Sequence, residues 1–351
     1  MKEIKFNVKG SYGETNFGDD LLMLVFENFF RKEFKNAEIN FEGINAEYPS
    51  KLLKSASYNK SIKNSDWNVF GGGTQFFSFN ENGDLSFIDK IKLYLKNPHL
   101  IKNKFIKSES KVNTAFLGFG IGPFSNNIRA INNSRNIIKT ASFVAVRDDV
   151  SYKYCNDWQI KATLGADVVF SSYYESDNSQ LIKNEDHSNK IGIIVRDWDY
   201  ENSGNAYIEV LKKFYKENSD NFKIIIFAPN KDKKWIKSLK QSDVIIWDPN
   251  TNNVQEFLGI LDSFKALISA RYHGAIIGAL LNKPIICIEV ESKLRILTEQ
   301  VNEMQLWEKP FNIKQLEELI QNINYTVDYK ESLEERKILA DNMLNEFKKH
   351  I

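Results

Sequence analysis

Short β-branched apolar runs alternate along this chain with longer stretches of helical periodicity, and most of the runs stop at a glycine or a charged residue. That alternation predicts βα units wound on parallel sheets, with ligand-facing residues gathered at the carboxyl ends of the strands. In the first half, strands are expected at Ile4 to Val8, Trp67 to Phe70, Thr114 to Leu117 and Phe143 to Val146. In the second half they are expected at Ile191 to Val195, Lys223 to Phe227, Val244 to Trp247, Lys265 to Ile268 and Pro284 to Ile288. Helical spacing covers Asp19 to about Lys32, where Leu21, Leu22, Val25, Phe26, Phe29 and Phe30 share a face, and recurs around Asn205 to Lys216 and Val254 to Phe264.

A chain of 351 residues exceeds what one hydrophobic core usually serves. The polar stretch Tyr173 to Lys190 reads as the linker. The predicted fold class is α/β: two doubly wound Rossmann-like domains, over residues 1–175 and 190–312, facing a cleft. A charged helical tail over 313–351 is expected to pack back on the body.

Lys plus Arg number 47 against 46 Asp plus Glu, so the chain lacks the basic field that nucleic-acid binding requires. No apolar span approaches the roughly 18 residues of a transmembrane helix, and the alternating start Met1-Lys2-Glu3-Ile4-Lys5-Phe6 is no signal peptide. A cytoplasmic protein is expected, with any membrane association peripheral. Cys155 and Cys287 have no cysteine or histidine at ligand spacing and read as buried free thiols. His99, His187 and His350 sit in polar or terminal segments and suggest no role.

The sharpest local anomaly follows Ala266-Leu267-Ile268, where Ser269-Ala270-Arg271-Tyr272-His273-Gly274 opens an apolar helix running toward Asn282-Lys283-Pro284. A helix N-terminus carries about half a positive charge, and a cation there costs about 0.3–1 kcal/mol unless an anion intervenes. Arg271 and His273 break that rule, and a bound anion on the free N–H groups is the simplest partner. Arg196 follows Ile191 to Val195 at another carboxyl end and is expected to face the same edge; its plainer reading is an ion pair with Asp197 or Asp199. His273 can exchange a proton near neutrality; otherwise it is a core histidine donating to a carbonyl.

Other strand ends are less specific. After the first strand, Gly10-Ser11-Tyr12-Gly13-Glu14-Thr15-Asn16-Phe17-Gly18-Asp19-Asp20 permits close backbone approach, with Asp19 or Asp20 expected to cap the helix. Gly71-Gly72-Gly73 suits either a ligand's approach or a left-handed turn. Gly118-Phe119-Gly120-Ile121-Gly122-Pro123 alternates like a phosphate loop but departs from G-x-G-x-x-G. No His, Cys and carboxylate cluster has metal-ligand spacing.

Taken in order, Asn16-Phe17-Gly18-Asp19-Asp20, Gly71-Gly72-Gly73, Arg147-Asp148-Asp149-Val150-Ser151 and Arg271-Tyr272-His273-Gly274-Ala275-Ile276 through Lys283-Pro284, with Lys293 beyond, resemble the polysaccharide pyruvyltransferase family. The resemblance covers about Gly10 to Lys293. It implies a GT-B-like architecture, with the acceptor on the N-terminal domain and the donor on the C-terminal one. It also implies transfer of a pyruvyl group from phosphoenolpyruvate onto two hydroxyls of a sugar in a cell-surface polysaccharide or its precursor, as a cyclic ketal with release of phosphate.

In such enzymes the donor is held by an arginine after the first strand of the second domain and by an Arg-x-His element. These match Arg196, Arg271 and His273, with Tyr272 and Gly274 at the same helix start. Asn16, Asp19, Gly71, Gly72, Gly73, Arg147 and Lys293 are the expected acceptor-side or cleft-lining set. His273 is the expected acid or base, and Asp19, Asp20 or Asp167 would handle the sugar. The chain departs from the family pattern in lacking a proline soon after Gly165-Ala166-Asp167 and in carrying Asn282 where a glycine is usual. The expected partners are phosphoenolpyruvate and a saccharide, free or lipid-linked, with no cofactor and no metal. A GT-B glycosyltransferase using a nucleotide sugar and a non-catalytic anion-binding module are the competing readings.

Overall fold

The computed structural model describes residues 3–62, 64–78, 112–174, 187–199, 202–240 and 244–351. His99 and most of the expected linker lie outside these.

The first sheet takes β1 (Lys5–Lys9), β2 (Glu38–Glu42), β3 (Ser57–Tyr58), β4 (Trp67–Gly71), β5 (Thr74–Phe76), β6 (Asn113–Ile121), β7 (Phe143–Val146) and β8 (Thr163–Leu164). Its order is β3-β2-β1-β4-β6-β7-β8, with β5 paired to the far end of β6 and every pairing parallel. Helices α1 (Phe17–Glu33), α2 (Pro49–Leu52), α3 (Ile128–Ile138) and α4 (Asp149–Asp157) connect these strands.

The second sheet, β9 (Ile191–Val195), β10 (Phe222–Ile226), β11 (Val244–Ile246), β12 (Ala266–Ser269), β13 (Ile285–Ile288) and β14 (Gln305–Trp307), is also parallel, in the order β11-β10-β9-β12-β13-β14. Its connecting helices are α5 (Asn202–Asn218), α6 (Lys233–Ser238), α7 (Val254–Asp262), α8 (Tyr272–Leu280) and α9 (Ser292–Gln300). Strands β9, β12 and β13 are buried along their whole length, as a sheet covered by helices on both faces requires.

Strand order reverses between β1 and β4 in the first sheet and between β9 and β12 in the second. Crevices form at such switch points, beyond the carboxyl ends. The loops after β1 and β4 carry Asn16 and Gly71 to Gly73; those after β9 and β12 carry Arg196 and Arg271 to His273.

One expectation is corrected and another gains detail. Gly118 to Ile121 is not a loop, because β6 runs on through Ile121. Its glycines make room for side chains: a Cβ on Gly120 would lie 3.0 Å from Arg147 Nη2, and one on Gly118, at φ +65°, 2.9 Å from Val168. The tail is also divided. Helix α10 (Ile313–Gln321) stays with β14 and α5, whereas α11 (Lys330–His350) crosses to the first domain. There Phe347 meets Phe29, Trp67 and Phe143, with ring centroids 6.4, 5.4 and 5.4 Å away.

The domains are joined directly at the start of α1. Phe17 packs among Phe227, Trp247 and Phe257 at centroid separations of 5.1, 4.8 and 4.6 Å, and its N–H donates to the Phe227 carbonyl at 3.0 Å. Cys155 and Cys287 are buried free thiols, and burial pushes the Cys155 thiol up to about 12. Among the described residues no helix is long and apolar enough to cross a membrane.

Candidate functional site

Strand β12 delivers Arg271 to the N-cap of α8, which places Tyr272 and His273 in the first turn. Adjacent β13 leads to Glu291 at the N-cap of α9, where Lys293 is the second helical residue and the first turn has no acid. Two neighbouring helices therefore open on cations at one edge of one sheet. Their N-terminal dipoles add to the positive field there.

Across from them stands Arg147, only 2% exposed at the end of β7. Its guanidinium donates to Thr74 Oγ1 at 2.8 Å and to Asp167 Oδ2 at 3.3 Å, and lies 4.4 Å from the centroid of the Tyr272 ring. The Lys293 ammonium is 5.8 Å from the same ring, so cations from the two domains meet around one phenol. Asp148, next in sequence, caps α4 by accepting from Ser151 N at 2.7 Å and places its other oxygen 3.6 Å from Arg147 Nε.

His273 sits between the domains. A Cβ on Gly18 would stand 2.4 Å from its Nδ1, so only glycine lets the first turn of α1 approach the imidazole. Its Nε2 is 3.4 Å from Asp167 Oδ2, an ion-pair distance, and makes no hydrogen bond among the described residues. Asp167 is 1% exposed. Burial alone would raise its carboxyl, but the charges of His273 and Arg147 outweigh burial and hold it below the ordinary value. The result is a buried carboxylate facing the imidazole at the domain junction.

Both arginines of the second domain have carboxylate partners, so the expectation that a missing anion explains them is corrected. Arg271 donates through Nη2 to both Asp232 oxygens, at 2.6 and 2.5 Å, and through Nε to the Val195 carbonyl at 3.2 Å. Asp232 is fully buried, so this pair anchors the start of α8 inside the domain. Arg196 pairs with Glu291 rather than with Asp197 or Asp199, and its guanidinium lies over Trp198, 4.6 Å from the ring centroid. Lys293 reaches the same Glu291 oxygen at 2.7 Å.

Glu291 is held at about 2 because Arg196 and Lys293 overcome the upward push of burial. Lys293 also moves down, to about 8: burial is the main cause, Glu291 opposes it, and Arg196 and Arg147 add to it. In an isolated ion pair the acid falls and the base rises. Here both fall, because burial of the ammonium outweighs the attraction of Glu291 and the two arginines add to the drop.

The acids expected near the start of α1 have other duties. Asn16 occupies the N-cap and donates to Asp19 Oδ2 at 2.5 Å, so neither aspartate is the cap. Asp20 is fully buried and accepts from Tyr48 Oη and, across the domain junction, from Trp247 Nε1, both at 2.8 Å. Burial raises its carboxyl to about 7 in spite of those donors. It is a bridge between domains. Of the glycines after β4, Gly71 leaves room for Phe26 and Gly72 turns at φ +68°, whereas a Cβ on Gly73, at φ +70°, would meet nothing within 4 Å.

Sequence reasoning missed Glu291, Asp232 and Thr74, none of which lies beside its arginine in the chain. No group of three or more His, Cys, Asp or Glu side chains among the described residues is placed to hold a metal.

Two Rossmann-like domains that meet around His273, Arg147 and Lys293 define a GT-B-like architecture. A profile of the polysaccharide pyruvyl transferase family matches residues 16–292, and the chain belongs to that family. No protein of curated function matches the sequence.

Among solved structures, the UDP-N-acetylglucosamine 2-epimerase of Rickettsia bellii superposes with a TM-score of 0.57 at 11% identity, covering 100% of this chain and 98% of that one. The MnaA–UDP structure from S. aureus gives 0.58 at 10% identity, covering 98% and 92%. The UDP-GlcNAc 2-epimerase of Methanocaldococcus jannaschii, in complex with UDP-GlcNAc and UDP, gives 0.55 at 12%, covering 95% and 98%. At these identities the likeness is one of fold.

Proposed function

We propose that this protein transfers the pyruvyl group of phosphoenolpyruvate onto two hydroxyls of a polysaccharide or its precursor, forming a cyclic ketal and releasing phosphate. Family membership supports the class of reaction. The observation that carries the donor assignment is the holding of Arg196 and Lys293 on one oxygen of Glu291 where α9 begins, with His273 in the first turn of the neighbouring α8. Phosphoenolpyruvate brings a carboxylate and a phosphate, which suit these cations and the N–H groups of the two helix starts. Arg271, tied to Asp232, shapes the first turn of α8 and so aims His273.

In this scheme His273 protonates the methylene carbon of the donor, and Asp167 stabilises and orients the imidazolium. The cation at C2 is attacked by one sugar hydroxyl. Phosphate leaves with the C2–O bond, and the second hydroxyl closes the ketal. One hydroxyl proton replaces the one His273 gave up; the other departs with phosphate. Gly73 and the start of α1, on the opposite domain, line the side from which the saccharide approaches.

Phosphate release from phosphoenolpyruvate is expected only when a saccharide acceptor is present, and one phosphate should appear for each ketal formed. Turnover of a nucleotide sugar in place of phosphoenolpyruvate would establish the glycosyltransferase reading instead. Release of phosphate that ignores every acceptor would also contradict the proposal.

A further inference from the structure

Among the described residues, Glu291 is the acid that pairs with both Arg196 and Lys293. Its carboxylate is 8% exposed, while the Arg196 and Lys293 side chains are each 23% exposed. An anion arriving from solvent therefore meets the two cations first, with Glu291 behind them. A single oxygen of Glu291 receives both, which fixes a guanidinium and an ammonium side by side although they repel each other.

Every other charge facing Lys293 bears on whether it keeps its proton. Arg196 approaches from the end of β9. Arg147 approaches from the end of β7, partly offset by Asp148 and Asp167. From α8 the Tyr272 ring faces it, with His273 one residue further along. Glu291 is the group in contact with Lys293 that favours its charged form.

We propose that Glu291 is a positioning residue: it aligns Arg196 with Lys293 and keeps the Lys293 ammonium charged at neutral pH, so that donor affinity follows the protonation of Lys293. The inference rests on the donor reading above. The pKa of Lys293 near 8 agrees with it, since burial and the two arginines already press on the ammonium and Glu291 is the carboxylate that opposes them. With that charge gone, burial and two arginines act without the carboxylate in contact with Lys293.

The test is calorimetric binding of phosphoenolpyruvate, and separately of inorganic phosphate, between pH 6 and 9.5 to the wild type, Glu291→Gln, Lys293→Arg and the double variant. Wild-type affinity is expected to fall about tenfold per pH unit above 8, as a single required proton is lost. Comparing variants at the same pH cancels the ligand's own titration. Glu291→Gln should move this limb about one unit toward acid, binding about threefold more weakly at pH 7.5, about tenfold more weakly above pH 8.5, and approaching the wild type at pH 6. Lys293→Arg should abolish the limb, because a guanidinium stays charged throughout, and should restore affinity in the Glu291→Gln background.

Tighter binding by Glu291→Gln at every pH would mean that Glu291 competes with the donor, and an equal loss at every pH would mean a merely structural role; either overturns the proposal. A wild type that binds phosphate with the expected limb but ignores phosphoenolpyruvate would contradict the donor reading while supporting the role of Glu291. Binding of phosphoenolpyruvate without a limb would do the reverse.

Discussion

Replacing His273 with glutamine is expected to lower turnover by about 10²–10⁴-fold while leaving phosphoenolpyruvate affinity close to that of the wild type. The two effects separate because the charge of the donor is met by Arg196 and Lys293, whereas only His273 combines a titratable nitrogen with a position at the start of α8. Its Nε2 is buried beside Asp167 without a hydrogen bond of its own, an arrangement that a merely structural histidine, donating to a carbonyl, would not need. Phosphate release under saturating donor and acceptor, paired with calorimetric donor binding, reads both quantities. Turnover within a few-fold of the wild type would remove His273 from the chemistry; loss of donor binding with unchanged saturated turnover would make it a ligand instead.

The second large effect concerns stability. Asp232→Asn should destabilise the fold by about 3–5 kcal/mol, because it leaves the Arg271 guanidinium buried without its counter-charge. Arg271 is 7% exposed and its pair with Asp232 is sealed inside the second domain. Replacing both residues together with apolar ones of similar size should recover much of the loss, since the pair costs desolvation as well as contributing attraction. Urea unfolding of the three proteins measures this. Were Arg271 a cation waiting for donor, Asp232→Asn would instead tighten phosphoenolpyruvate binding at little cost in stability.

The two arginines show how far the sequence could be read. Arg196 and Arg271 follow apolar runs, and strand ends in a parallel sheet face one crevice, so their location was legible from local pattern. Their partners were not, because Glu291 is 95 residues from Arg196 and Asp232 is 39 from Arg271. Pairing at that range is decided by how strands order in the sheet, which alternation does not specify.

Gly118 to Gly122 misled for a related reason. A glycine every second residue suits a phosphate loop or a strand that must admit bulky neighbours, and the deciding group, Arg147, comes from the next strand. Gly18 carried a real signal, since a helix start without a side chain invites close approach, but that His273 would fill the space required the second domain. Asp20 was misjudged because Trp247, the donor that claims it, lies across the domain junction.

A crystal structure of the protein with phosphoenolpyruvate tests the central claim most directly. The account predicts the ligand between the starts of α8 and α9, its two anionic groups on Arg196 and Lys293 and its methylene carbon facing His273, with the Arg271–Asp232 pair intact. Phosphoenolpyruvate seated away from Lys293, or held by an Arg271 that has left Asp232, would contradict it.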